Sequence, residues 1–302
     1  MPNPEHDWPE KNRDIHNHHM DSTVWDTFAF REGDVIVATY AKSGTTWMQQ
    51  IVTQLIFNGE PDLPVHEISL WLDLRIVPPE AIAAVAAQTH RRCIKTHLPV
   101  DALVFSPQAR YIFIGRDGRD AAWSLYNHHI NATDEYFTAF NDTPGRVGPR
   151  LERGSRDVHG FYTDWINGDG FPYWPLWSNI RSWWAIRHLP NVLLIHFTDM
   201  KADLPGAIRR VAGFLDIDID ETRFPAIVEH CGFDYMKAHG RQFVPRGGSM
   251  WSGGANTFIN KGTNGRWRDT LSPGEIAAYE ARAVHELGQD CADWLARGGT
   301  AI

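Results

Sequence analysis

Cysteine, long apolar runs and excess positive charge are all scarce in this chain, and each scarcity removes a class of protein. Only three cysteines occur among 302 residues, Cys93, Cys231 and Cys291, widely spaced and without a C-x-x-C pair. That pattern supports neither a disulfide framework nor a thiolate zinc site, and it fits a reducing cytoplasm. No apolar run approaches the ~18 residues of a membrane span. The N-terminal MPNPEHDWPEKNRD is polar and charged where a signal peptide carries its apolar core. Asp and Glu number 37 against 29 Lys and Arg, a formal net charge of −8. Nucleic acid is therefore not an expected partner, because binding it takes a broad basic surface. Any anionic ligand must instead meet a local cationic pocket. Repeats, low-complexity tracts and linkers are missing too, so the chain reads as one domain, 1–302. Its parts are an N-terminal segment (1–33), a core (34–270) and a C-terminal helical segment (271–302).

What is present is an alternation. Residues 34–40 (DVIVATY), 92–97 (RCIKTH), 110–116 (RYIFIGR) and 191–197 (NVLLIHF) read as short buried strands. Helices are expected from Thr45 until Asn58-Gly59, and over 78–88, 118–130, 178–188 and 204–217. Nearly all-apolar strands separated by helices predict an α/β fold of the P-loop type, with a parallel sheet covered on both faces. Ligands of such sheets bind at the carboxyl ends of the strands, where Lys42, His97 and Arg116 fall. Residues 131–177 and 238–267 do not fit the alternation and read as long irregular loops over the site.

The turn after the first strand, TYAKSGTTW, has no lysine after its glycine, unlike the usual G-x-x-x-x-G-K-[ST] loop. Its lysine comes first. A glycine between strand and helix lets backbone N–H groups converge at a positive helix end, while Ser43, Thr45, Thr46 and Lys42 add donors and charge. The arrangement suits a phosphate, although serine and threonine also serve simply as helix caps.

Four motifs in order decide between these readings: Y-x-K-S-G-T-T-W, K-T-H-L-P (Lys95 to Pro99), R-D-G-R-D-x-x-x-S (Arg116 to Ser124) and K-G-x-x-G-x-W (Lys261 to Trp267). Together, over roughly residues 34–270, the chain resembles the cytosolic-type sulfotransferases that use 3'-phosphoadenosine 5'-phosphosulfate (PAPS), as a bacterial member. The resemblance implies that Lys42, Ser43, Gly44, Thr45 and Thr46 hold the 5'-phosphosulfate and that Trp47 stacks on the adenine. It assigns Arg116, Ser124, Lys261 and Gly262 to the 3'-phosphate and Phe233 to the adenine. His97 becomes the general base, with Lys42 and Lys95 stabilising the transferring group. Lys42 need not follow the glycine if it serves a bridging oxygen.

The residue types suit that chemistry on their own account. Histidine titrates nearest neutral pH, and sulfuryl transfer proceeds with cationic and backbone donors, so no metal is expected. The implied partner is a small-molecule or lipid hydroxyl acceptor, a phenol, alcohol or glycolipid. The competing readings are a P-loop kinase or NTPase, which the missing lysine disfavours, and an inert nucleotide-binding protein.

Some positions depart from the family pattern. Asn260 stands where arginine is frequent, leaving Arg266 or Arg268 to compensate; Cys231 replaces a threonine and Phe197 a tyrosine. RDTLSPGEIA (268–277) lacks the family's dimer pattern, so oligomeric state is left open. Arg119 and Asp120 read as surface partners, and NHHMDS (17–22) as a solvated segment with too few ligands for a metal. His128 and His129 either border the acceptor cavity or favour the negative end of their helix. Trp71, Phe137, Phe140, Tyr162, Trp165, Phe171, Tyr173, Trp174 and Trp177 either line an acceptor pocket or pin loops to the core.

Overall fold

The computed structural model describes residues 7–154 and 157–301; the first six residues of the N-terminal segment lie outside the described residues. The principal elements are β1 (Val35–Thr39), α1 (Thr45–Ile56), α2 (Pro79–Ala87), β2 (Cys93–Thr96), β3 (Arg110–Gly115), α3 (Gly118–Ile130), α4 (Asp134–Asp142), α5 (Val158–Asn167), α6 (Leu176–Ala185), β4 (Val192–His196), α7 (Leu204–Phe214), α8 (Pro273–Leu287) and α9 (Gln289–Arg297). All four strands are parallel, in the order β2-β1-β3-β4.

Because successive strand side chains point to opposite faces, a nearly all-apolar strand must be covered on both. Here Ile36, Ala38, Tyr111, Phe113 and Leu194 enter a core shared with Leu125 of α3 and Ile180 and Trp183 of α6. Their neighbours Val35, Val37, Ile112, Ile114 and Ile195 enter a second core with Met48 and Ile51 of α1 and Ile208 and Val211 of α7. The chain leaves β1 to form β2 on one side and returns to form β3 on the other. A crevice therefore opens beside β1, above the carboxyl ends of the strands.

All four expected strands and five expected helices form. The two segments read as irregular do not stay so: 131–177 contains α4 and α5, and short helical turns such as Gly240–Gln242 and Ala255–Phe258 punctuate 238–267. Their glycines and prolines mask short amphipathic stretches; in α4, Tyr136 and Phe140 face a third core with Met236 and Trp251. NHHMDS is likewise not solvated: His18 and His19 are buried, His19 stacking on Phe140 at 4.0 Å between ring centroids. Arg119 and Asp120 are buried as well, with Arg119 Nη2 2.8 Å from Asp117 and its Nη1 2.7 Å from Glu280.

The C-terminal helices close against the end of β3. A Cβ on Gly115 would lie 2.3 Å from the Trp294 indole of α9, and one on Gly118 2.4 Å from Tyr279 Oη of α8. Gly115→Ala is therefore expected to cost about 1–3 kcal/mol through overpacking, read as a lower midpoint in thermal or denaturant unfolding. An unchanged midpoint would show that α9 is not seated there.

Candidate active site

The phosphate-type loop is held in shape by its backbone. Lys42 adopts φ 63° and Gly44 φ 107°, both in the left-handed region. A Cβ on Gly44 would meet the Phe197 ring at 2.9 Å, so close approach adds to conformation in demanding glycine there. Gly44 is the N-cap of α1 and supplies no side-chain cap, so the first amides of the helix stay open to an anion. Thr45 Oγ1 bonds Thr39 Oγ1 at 2.7 Å, tying the loop back to β1.

The register of β1 and β2 positions His97. Ala38 pairs with Thr96, so the next residues, Thr39 and His97, leave the sheet side by side. His97 Nδ1 lies 2.8 Å from the Thr39 carbonyl oxygen. A carbonyl only accepts, so Nδ1 carries the proton and Nε2 presents its lone pair. Nε2 makes no hydrogen bond to any described residue. Burial first, then the charge of Lys95, pushes the imidazole well below its ordinary pKa, which keeps it neutral.

The charges of two lysines act on it. Lys95 Nζ sits 4.5 Å from the Trp71 ring centroid, and the same indole meets His97 edge-on at 4.7 Å, so both groups share one side of the extended segment. Lys42 Nζ rests 4.0 Å over Phe258. Burial, with Lys95 and Arg116 nearby, lowers the Lys42 ammonium to about 7; burial lowers Lys95 to about 8 against the opposing pull of Asp73. Desolvated ammoniums this close together are the electrostatic complement of a multiply charged anion.

Arg116 follows β3 directly and builds the other end of the crevice. Its guanidinium donates to the Lys42 carbonyl at 2.8 Å, to the Thr263 carbonyl at 3.2 Å and to Asn264 Oδ1 at 3.1 Å. All of these acceptors are neutral, and the residue is 8% exposed. A buried guanidinium without a carboxylate in contact fits a site for phosphate. The loop bearing exposed Lys261 and Gly262 (φ 60°) is thus brought to Arg116 by Thr263 and Asn264. Phe233 borders the same loop, since a Cβ on Gly262 would lie 2.8 Å from its ring. Trp47 donates through Nε1 to the Cys231 carbonyl at 2.8 Å, a backbone contact indifferent to the loss of threonine there. Ser124 lies half-buried on α3 without a hydrogen bond to a described residue. Of the two arginines able to offset Asn260, Arg266 acts electrostatically on Arg116, whereas Arg268 lies over Trp267 at 4.6 Å.

Several contributors escape the sequence patterns. Asp73 is buried and accepts from Trp71 Nε1 at 2.5 Å, Trp25 Nε1 at 2.8 Å and Thr96 Oγ1 at 2.5 Å. It thereby holds the indole behind His97 and the residue between Lys95 and His97. Phe258 and Trp251 are the others; lying in segments without periodicity, they give no signal before the chain folds. Among the aromatic candidates, Trp71 and Trp174 border His97, whereas Trp165 and Trp177 are core residues and Phe171 is exposed.

Known proteins carry the same arrangement of domain. The family model described as the sulfotransferase domain matches residues 32–290. A glycolipid sulfotransferase of Mycobacterium bovis is 32% identical over 303 aligned positions, covering 92% of each chain. Sulfotransferase 1B1 of the mouse is 26% identical, covering 84% of this chain and 82% of its own. In fold, a mouse sulfotransferase solved with PAP superposes with a TM-score of 0.68 at 21% identity, covering 95% of this chain and 97% of that one. Retinol dehydratase, solved with retinol and PAP, also gives 0.68, at 23% identity and with 88% and 84% covered. The chain belongs to the sulfotransferase family. It is accordingly an enzyme of the sulfuryl-transfer class, with the P-loop-type α/β fold expected of it.

Asp73→Asn removes the negative charge that sustains the Lys95 ammonium while keeping the shape. Lys95 should then lose its proton at lower pH, so the alkaline limb of the pH profile of transfer moves to the acid side and turnover falls about tenfold near neutrality. An unshifted limb would separate Asp73 from Lys95.

Proposed function

We propose that the chain, as a single domain, transfers the sulfuryl group of PAPS to a hydroxyl of a small-molecule or lipid acceptor. The activity of the mycobacterial relative points to a glycolipid as the acceptor class. One observation carries the reading: a neutral imidazole, its proton fixed on Nδ1 by the Thr39 carbonyl, lies within the field of two desolvated ammoniums.

PAPS supplies a sulfuryl group already joined to a good leaving group, the 5'-phosphate. His97 Nε2 takes the acceptor's hydroxyl proton as that oxygen forms its bond to sulfur and the bond from sulfur to the bridging oxygen breaks. Lys42 and Lys95 stabilise the charge that gathers on the sulfuryl and bridging oxygens. Ser43, Gly44, Thr45 and Thr46 receive the 5'-phosphosulfate at the open end of α1. Trp47 and Phe233 hold the adenine, and Arg116, Ser124, Lys261 and Gly262 hold the 3'-phosphate, with Arg266 adding a second positive charge that repels Arg116 until the anion binds. A phosphoryl-transferring reading is less well supported, because no lysine follows Gly44 and because the carboxylate nearest the lysines, Asp73, is occupied by three donors. Three buried free thiols accord with a cytoplasmic setting, and no helix among the described residues is long and apolar enough to cross a membrane.

Calorimetry with 3',5'-adenosine bisphosphate, 5'-AMP and ATP, with and without magnesium, tests the donor site. Magnesium-independent preference for the bisphosphate is expected; preference for ATP with magnesium would sink the reading. His97→Ala should retain bisphosphate affinity while transfer falls about 10²–10⁴-fold, and normal turnover would remove His97 as base.

The lysines add a pH dependence. Free Lys42 and Lys95 lose their protons as pH rises through about 7 and about 8, whereas a bound anion raises both pKa values. Bisphosphate affinity should therefore weaken by up to about tenfold per pH unit for each lysine above these values, with net proton uptake on binding. Affinity independent of pH between about 6 and 9 would contradict the lysine assignment.

A further inference from the structure

His128 has no part in the chemistry above, yet its ring borders the same space. It lies one helical turn beyond Ser124 on α3, half-buried, with ring centroids 4.7 Å from Trp251, 5.7 Å from Phe258 and 5.9 Å from Tyr136. Phe258 is the ring beneath Lys42 Nζ. The charges of both Lys42 and Lys95 act on the imidazole, which places it on the catalytic side of its helix. Nδ1 of His128 is shut off from solvent and has no hydrogen-bond partner.

Two neighbours share that condition. The indole nitrogens of Trp251, against His128, and of Trp174, at 5.2 Å between centroids from His97, are also buried and unpartnered. Leaving buried polar groups without partners is costly, roughly 1–3 kcal/mol each. The aromatic walls beside the base and beside Lys42 thus carry three nitrogens in want of oxygen atoms. A phenol or simple alcohol brings one oxygen, which His97 consumes. A molecule with several hydroxyls brings enough, and its C–H faces pack on indole.

We propose that His128 selects acceptors bearing more than one hydroxyl, bonding a second oxygen of the molecule whose first hydroxyl faces His97, as a sugar headgroup allows. This rests on the sulfuryl-transfer reading for the placement of the acceptor and adds to it the residue that reads the headgroup. His128 touches the non-reacting part of the acceptor and takes no proton from the reacting oxygen. Trp251 assists by donating from the same wall.

The test compares octyl β-D-glucopyranoside with 1-octanol, which share a tail and differ in the headgroup. Binding to the bisphosphate-loaded full chain is followed by quenching of tryptophan fluorescence, in the wild type, His128→Phe and His128→Asn. In the wild type the glucoside should bind more tightly than the alcohol. The ratio of the two affinities should fall about tenfold in His128→Phe, the loss of one buried hydrogen bond, and recover in part in His128→Asn, whose amide stands where Nδ1 does. No glucoside preference in the wild type, including no binding of either compound, or a ratio unchanged by the phenylalanine, overturns the inference. Failure of the sulfuryl-transfer reading appears separately, as absence of bisphosphate binding in the wild type.

Discussion

The site depends on one hydrogen bond between neighbouring strand ends, from His97 Nδ1 to the Thr39 carbonyl. It fixes which nitrogen is basic, and it exists because the parallel register carries Thr39 and His97 out of the sheet together. A one-residue slip would send His97 to the other face of the sheet and put its partner out of reach. Such a slip is opposed by both cores at once, since each strand buries alternate side chains in each. The geometry of the base is in that sense a property of the whole sheet.

Around this fixed point the protein accumulates positive charge that it does not neutralise locally. Lys42, Lys95 and Arg116 are packed against aromatic rings and neutral oxygens rather than carboxylates. Carboxylates act only from behind: Asp73 moderates Lys95, and Asp120 and Asp117 moderate Arg116, none of them in contact with the cation. In a chain of net charge −8 this pocket is a local inversion of sign. Such inversion costs stability when the site is empty and favours an anion when it is not.

Much of this was legible in the sequence, because short all-apolar strands and amphipathic helices with clear stops are local signals. The four-strand sheet and the loop from Lys42 to Thr46 depend on neighbours within a few residues. What resisted reading depends on distant ones. Asp73 matters through Trp25, Trp71 and Thr96, and nothing in WLDL marks it as a hub. Local polarity makes His18 and His19 read as solvated, whereas partners more than a hundred residues on bury them, Phe140 and Tyr136 against His19 and the Pro172 carbonyl against His18. The same limit applies to segments 131–177 and 238–267, whose short helices are interrupted by glycine and proline before a periodic signal builds up.

The latch between Arg116 and the loop at Thr263 and Asn264 bears on how the enzyme lets go. A guanidinium that bound only its anion would be left bare in a buried position whenever the spent nucleotide departed, and that penalty would hold the nucleotide in place. Here two loop oxygens and the Lys42 carbonyl stand ready to receive the same N–H groups. On the role proposed for Arg116, departure is then an exchange of acceptors rather than a loss of them, which lowers the cost of release.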